Sequence, residues 1–272
     1  MVKIPPISVN EVTTYYSYMS NISNTLFIGK VLLRYKSLES TNLEAQKLLS
    51  EANKPLEGTT IVADMQTAGK GQRGNTWSSP SGKNLLSSYI LYPKHLLPRQ
   101  QFVLNIISSL AVIDLLQDMN IKQAKIKWPN DVYIGTKKVA GILTQSHIAS
   151  QSILSSIIGI GLNVNQKTFD TTLPNPTSIR LEMKQDFALD STLERLCFFL
   201  EKRYLQSKST NGVATLRKLY TKLLFRLEEE AIFLIDGKHQ TGIIQGIDPN
   251  GKLILKMEKH TRVFDFQELR FV

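Results

Sequence analysis

From residue 227 to Val272 the chain shows no helical period at all. Short runs at 231–235, 240–247, 252–257 and 261–266 read as strands, and the Asp236-Gly237 and Pro249-Asn250-Gly251 segments between them are turn formers. Strands this short hide their apolar side chains by curling on one another, so the expectation is a small C-terminal β-barrel, 227–272, beside a larger domain over 1–226. With 42% hydrophobic and 21% charged residues in 272, the chain has enough apolar material for one substantial core and a smaller unit.

The larger part mixes periods. Thr41-Asn42-Leu43-Glu44 has the form of a capping box, and Ala45, Leu48 and Leu49 follow at helical spacing, so a helix is expected to begin at Thr41. Residues 103–119 carry apolar side chains at helical spacing and predict a core helix; 192–206 and 213–224 predict two more. Strands are expected at 59–64, 85–92, 125–128, 132–134, 139–145 and 153–163, with turns at Pro129-Asn130-Asp131 and Gly135. The fold class read from this pattern is α+β, a mixed and mostly antiparallel sheet flanked by helices. Residues 1 to about 30 are polar, without a sustained period, and read as a loosely packed lead-in.

Composition narrows the setting. Thirty-three basic against 23 acidic residues give a net charge of +10, which favours anionic partners: nucleotides, nucleic acid or an acidic protein. The single cysteine, Cys197, suits a reducing compartment. The N-terminal residues lack the apolar core of a secretory signal, and no later segment is expected to span a bilayer, so a cytoplasmic protein without a membrane partner is expected.

Three segments carry chemistry. The first is a long loop between strands, 66–77, reading Gln-Thr-Ala-Gly-Lys-Gly-Gln-Arg-Gly-Asn-Thr-Trp; its glycines let backbone approach a ligand closely, and Lys70 and Arg73 suit a phosphate. Alone it would be read as a surface loop, since it lacks the phosphate-loop and dinucleotide spacings. The second is Lys127-Trp128-Pro129-Asn130-Asp131, followed by Lys138-Val139-Ala140-Gly141-Ile142-Leu143. Alone, Asp131 would be a turn former and Lys138 a solvated charge. The third, Gly159-Ile160-Gly161-Leu162-Asn163-Val164-Asn165, ends an apolar strand in two amides.

Taken in order, with Ser40-Thr41-Asn42 ahead of them, these segments resemble the motif set of biotin protein ligases lacking an N-terminal DNA-binding domain, over residues from about 31 to the C-terminus. The resemblance implies a class II synthetase-like catalytic domain with an SH3-like barrel behind it. It implies biotin and ATP as substrates, Mg²⁺ with the nucleotide, and a biotin carboxyl carrier domain as protein partner. Ser40, Thr41, Asn42 and Gln66 would lie at the biotin ring, with Gly71 and Arg73 in the loop that closes over the intermediate and Gly141 flanking the pocket. Trp77 would pack near the adenine; Lys70, Asn130, Asp131, Asn163 and Arg270 would face the nucleotide, Asp131 also being the candidate magnesium ligand. Lys138 would meet the biotin carboxylate and the phosphate, and Lys138, Arg73 and Asp131 would carry catalysis. Relatives often have arginine where this loop has Lys70, Gln72 and Asn75, so the hold on phosphate falls on Arg73, Lys138 and backbone amides.

In that chemistry a carboxylate becomes an acylating agent as its mixed anhydride with AMP, and a carrier lysine then attacks it. Two anions must meet in the first step, which is why cations at this spacing matter. The competing readings are a lipoate or octanoate ligase of the same superfamily, a DNA-binding biotin-responsive regulator, and a carrier-binding module without activity. Only 39 residues precede Ser40 and they show no helix-turn-helix pattern, so direct nucleic-acid binding is not expected. Monomer and homodimer stay open.

Overall fold

In the computed structural model the described residues are 15–19 and 22–272. One eight-stranded sheet forms the centre, in the order β1 (Tyr15–Met19), β2 (Val31–Leu38), β3 (Thr60–Gln66), β4 (Leu85–Leu91), β8 (Ser152–Leu162), β7 (Lys137–Ala149), β6 (Asp131–Ile134), β5 (Ala124–Lys127). Only β2 and β3 pair in parallel, joined by a crossover through α1; every other neighbour is antiparallel.

One face of the sheet is covered by α2 (Phe102–Asp118), behind which pack α4 (Leu189–Ser207) and α5 (Gly212–Lys222). Nearly every residue of α2 is buried, because the helix is apolar all round and is enclosed by sheet and helices together. Here the expectation that no segment nears a bilayer-spanning run is corrected: 98–118 is long and apolar enough by length and composition, and 78% of its apolar window is buried inside the fold. On the opposite face lies the shorter α1 (Thr41–Ser50), seated on Ala45 over Leu33, Ile61, Ile90 and Ile157. A short α3 (Ile179–Met183) follows the 163–178 crossover.

The lead-in is also corrected. Residues 15–19 form an edge strand paired with β2, and Ile22 and Ile28 are buried. The buried Glu201 of α4 fixes this stretch, its carboxylate accepting the N–H groups of Leu26, Phe27 and Ile28 at 2.6, 2.8 and 2.9 Å. A polar sequence hides such packing because the apolar partner surface is supplied by helices 170 residues on. Residues 1–14, 20 and 21, where the rest of that reading falls, lie outside the described residues.

The C-terminal strands β9 (Glu230–Ile235), β10 (Lys238–Ile247), β11 (Leu253–Lys256), β12 (Thr261–Phe264) and β13 (Leu269–Phe271) make a separate antiparallel sheet, in the order β12-β11-β10-β9-β13. Phe233, Ile235, Ile244, Leu253, Leu255 and Phe264 fill its inner side. Its hydrogen-bonded ladder is its own, but its apolar core is continuous with that of the larger part. The Phe102 ring lies 5.7 Å from Phe266, and the Trp128 indole N–H donates to the Gly251 carbonyl at 2.8 Å. Gly251, at φ 88°, sits so close that a Cβ would lie 2.1 Å from the Phe102 ring.

Candidate active site

A cavity of about 250 Å³ opens on the α1 side of the sheet, between the first turn of α1, the glycine-bearing ends of β7 and β8, and the loop after β3. The first turn of α1 brings Ser40, Thr41 and Asn42 to it together. Ser40 occupies the N-cap position in extended conformation, yet its side chain does not cap the helix and lines the cavity instead. The Thr41 N–H and hydroxyl both donate to Gln66 Oε1, at 2.7 and 3.0 Å. A backbone N–H can only donate, so the Gln66 amide is fixed with its oxygen toward α1 and its NH₂ turned away.

Behind Thr41 sits Ser88 of β4, fully buried, 2.7 Å from Thr41 Oγ1 and 2.6 Å from Asn42 Oδ1. The Asn42 amide NH₂ points the other way, to Gln145 Oε1 at 2.8 Å and to the Leu143 carbonyl at 3.4 Å. Gly159 makes room for this: a Cβ there would lie 2.1 Å from Asn42 Oδ1.

The loop after β3 is not shapeless, as its composition suggested. The Gly71 N–H donates to the Asn75 carbonyl and the Trp77 N–H to that of Gly69, with a bridge between Lys70 and Thr76, so 69–77 is a tight hairpin closed by the 3₁₀ turn Gln72–Gly74. That hairpin lays the Trp77 indole across Gly141 and Gly161, which face each other on β7 and β8. Cβ atoms there would lie 2.8 and 2.4 Å from the ring. The indole N–H is buried without a partner among the described residues, and Lys138 Nζ lies 5.6 Å from the ring centroid.

The end of the cavity that holds Asp131 and Lys138 is built by β5, β6 and β7. Asn130 bridges to β7 by its backbone carbonyl, which accepts the Ile142 N–H at 3.0 Å, and by its side-chain amide, which donates to the Ile142 carbonyl. Opposite, Asp131 pairs in register with Gly141, but a bulge then sets Tyr133 against Lys138. Without that extra residue Lys138 would point to the buried face; with it, Lys138 shares a face with Asp131 and their charged atoms meet at 2.8 Å. On the far side Lys127 lies opposite Asp131, its ammonium donating to the Tyr133 hydroxyl at 3.2 Å and lying over the Tyr133 and Phe271 rings. Burial pulls the Lys127 ammonium below the usual lysine range, with Lys138 and Arg226 adding to the effect and Asp131 opposing it. Burial, then Asp131, pushes the Tyr133 hydroxyl up to about 12.

Among the described residues Asp131 is the only carboxylate lining the cavity, and it is already paired with Lys138. No group of three or more His, Cys, Asp or Glu side chains gathers among the described residues. These residues by themselves do not fit a resident magnesium.

Of the residues singled out from sequence, Ser40, Thr41, Asn42, Gln66, Lys70, Gly71, Trp77, Asn130, Asp131, Lys138 and Gly141 all line this one cavity. Arg73 has its backbone in the 3₁₀ turn of the loop, and its side chain lies outside the described residues. Asn163 is not in the lining. It is buried behind Lys138, donating from its amide to the Thr177 carbonyl at 2.9 Å, while Thr177 and Asn175 bond the Lys138 backbone. Arg270 is exposed on β13 and is not brought to the cavity. Sequence reasoning missed Ser88 and Gln145, which touch the site only through Asn42 and Thr41, and passed over Gly159 and Gly161 as a strand end. The signal for the glycines was there: two of them alternate on one face of an otherwise apolar strand, which marks close approach of another group.

The Biotin/lipoate A/B protein ligase family model matches residues 35–163. The bifunctional ligase/repressor BirA of Bacillus subtilis is 31% identical over 238 residues, 85% of this chain and 71% of that protein. A biotin acetyl-CoA-carboxylase ligase of Paracoccus denitrificans is 31% identical over 241 residues, 86% of this chain and 97% of that protein. Among solved structures, a biotin protein ligase from Aquifex aeolicus in complex with biotin and ATP superposes with a TM-score of 0.74 at 26% identity, covering 89% of this chain and 99% of that one.

Proposed function

The chain belongs to the biotin protein ligases, and on that premise we propose which of its groups do which part of the work. The reaction activates biotin with ATP to biotinyl-adenylate, releasing pyrophosphate, and passes the biotinyl group to a lysine of a biotin carboxyl carrier domain.

The observation that carries the assignment of the ring end is the hydrogen count around Thr41. Three oxygen contacts, Thr41 to Gln66, Ser88 to Thr41 and Ser88 to Asn42, share only the two hydroxyl protons of Thr41 and Ser88. The cluster is short of one donor. Beside it the Gln66 NH₂ makes no hydrogen bond among those described and is a donor looking for an acceptor. A ring that offers an N–H next to a C=O completes both, and the cyclic urea of biotin is such a ring. The dithiolane of lipoate offers neither, and a buried polar cluster left unpaired discriminates strongly against a ligand that cannot complete it.

At the other end, Lys138 and Lys70 gather the negative charge of carboxylate and phosphate, and Asp131 holds Lys138 pointing into the cavity. The unpaired Trp77 N–H offers a donor to the adenylate, and the 69–77 hairpin excludes water from the anhydride. In transfer, the neutral carrier amine attacks the acyl carbon, the bond from that carbon to the phosphate oxygen breaks, AMP leaves, and the proton shed by the new amide nitrogen passes to Asp131, the carboxylate in the cavity lining. Arg73 adds to the hold on phosphate. A cytoplasmic setting fits the buried, unpaired Cys197, and nucleic acid is not part of the proposal. The test is exchange of labelled pyrophosphate into ATP with biotin or with lipoate as the acid: exchange with biotin alone is expected, and equal exchange with lipoate would overturn the reading of the ring end.

A further inference from the structure

Lys127 is a half-buried cation without an anion. Its ammonium has three donors, and among the described residues one of them is used, at 3.2 Å on the Tyr133 hydroxyl, which burial keeps protonated and therefore uncharged. The Tyr133 and Phe271 rings, with centroids 5.0 and 5.1 Å away, steady the ammonium but carry no counter-charge. Asp131, directly across the strand pair, is held at 2.8 Å by Lys138 and is not within ion-pair distance of Lys127. Burial, Lys138 and Arg226 all disfavour the charged form, and an anion beside the ammonium would offset them.

The place of Lys127 says which anion. Lys127, Asp131 and Gly141 are successive partners across β5, β6 and β7, so they form one row on the face that carries the cavity. Neighbouring strands lie about 4.8 Å apart, which sets Lys127 roughly 10 Å from Gly141 along that row. The ring end lies on the opposite side, at Gly159 of β8 beneath Asn42, and Lys138 of β7 stands between the two. In adenylate formation a biotin carboxylate oxygen bonds to the α-phosphorus of ATP as the bond from that phosphorus to the bridging oxygen breaks, and the electron pair departs with pyrophosphate. Attacking and leaving oxygens stand roughly in line. With the acid entering from β8 and its carboxylate at Lys138, the leaving group points across β6 to β5. We infer that Lys127 binds the pyrophosphoryl end of ATP and neutralises the charge that builds there as it leaves, a role that rests on the reading of the cavity as the site of biotinyl-adenylate formation. The anion this lysine lacks is supplied by the substrate and is gone before the carrier reacts.

The two half-reactions therefore respond differently. Lys127→Met keeps a stem of similar length against the rings and removes the charge, whereas Lys127→Arg keeps the charge. Met should raise KM for ATP, and for pyrophosphate in the exchange assay, by about 10- to 100-fold, the worth of a hydrogen bond to a charged group, with KM for biotin unchanged. Transfer from synthetic biotinyl-adenylate to the carrier domain involves no pyrophosphate and should stay within about twofold of wild type, and Arg should restore most of the ATP affinity. Lys127→Gln, read by the same comparison, stands in should the Met variant not fold. A lysine needed only for packing would lower both half-reactions together, and that result, or an unchanged KM for ATP in the folded variant, overturns the inference. So does a raised KM for the carrier with preformed adenylate, which would assign Lys127 to a carboxylate of the carrier. A wild-type protein with no biotin-dependent exchange overturns the underlying reading instead.

Discussion

Replacing Gly161 by alanine tests whether the indole seat is part of the active site. The glycine has no left-handed φ, so alanine strains no backbone there. Its Cβ would stand 2.4 Å from the Trp77 ring, and ordinary contact begins near 3.4 Å, so the ring must lift by about 1 Å (3.4 − 2.4). Gly141, directly opposite, would place its Cβ 2.8 Å from the same ring and ask for a smaller shift of about 0.6 Å. A misplacement of about 1 Å in a positioning group costs roughly 100-fold in rate. Gly161→Ala should therefore lower biotin-dependent pyrophosphate exchange by about two orders of magnitude, and Gly141→Ala by less. Thermal stability should hardly change, because the ring sits on a surface hairpin and not in the core. Only two tryptophans are present, and Trp128 is buried with its N–H bonded to Gly251, so the fluorescence change on adding biotin and ATP should come from Trp77 and shrink in the variant. Exchange within twofold of wild type in Gly161→Ala, with the indole still responding to ligand, would show that the seat has no part in catalysis.

Lys138→Ala should leave the melting temperature within a few degrees of wild type, since the side chain is partly exposed, while adenylate formation falls by about 100-fold or more, read by pyrophosphate exchange. Glu201→Gln replaces one oxygen that accepts two N–H groups, or the other that accepts one, with an NH₂ that cannot accept; a loss of about 2 to 3 kcal/mol in urea unfolding is expected, without change in KM for biotin. Burial raises the Cys197 thiol from its ordinary 9.0 to about 12, so the native chain binds a proton there that the unfolded chain has released; stability should be intact below pH 9 and fall as pH rises toward 12, with the raised Tyr133 hydroxyl acting in the same direction. Urea midpoints at pH 8 and 10.5 read this, and a midpoint that rises with pH would contradict it.

What the sequence made legible is what short range controls. The start of α1 at Thr41, the burial of α2, the hairpin after Asn130 and the β-only C-terminal part all follow from period and turn residues within a dozen positions, although the capping box expected at Thr41 and Glu44 is not formed: Ser40 is the N-cap, without a side-chain cap bond, and Glu44 accepts from the Tyr35 hydroxyl. Which residues gather at the cavity was legible for the same reason, because the segments that supply them are short and ordered. What it hid are partners distant in the chain. Ser88 meets Thr41 and Asn42 across 47 and 46 residues, Gln145 meets Asn42 across 103, and Glu201 meets Phe27 across 174. A serine in an apolar strand and a glutamine beyond a motif's end carry no local mark of such roles. Nor does Lys138 show that a bulge, rather than strict alternation, turns it toward Asp131. Motif residues can be exchanged between family members by position, whereas the groups that orient them are set by packing. Two ligases with identical motifs can therefore differ in how Thr41 and Asn42 are held, and the difference will sit at positions like 88 that no motif includes.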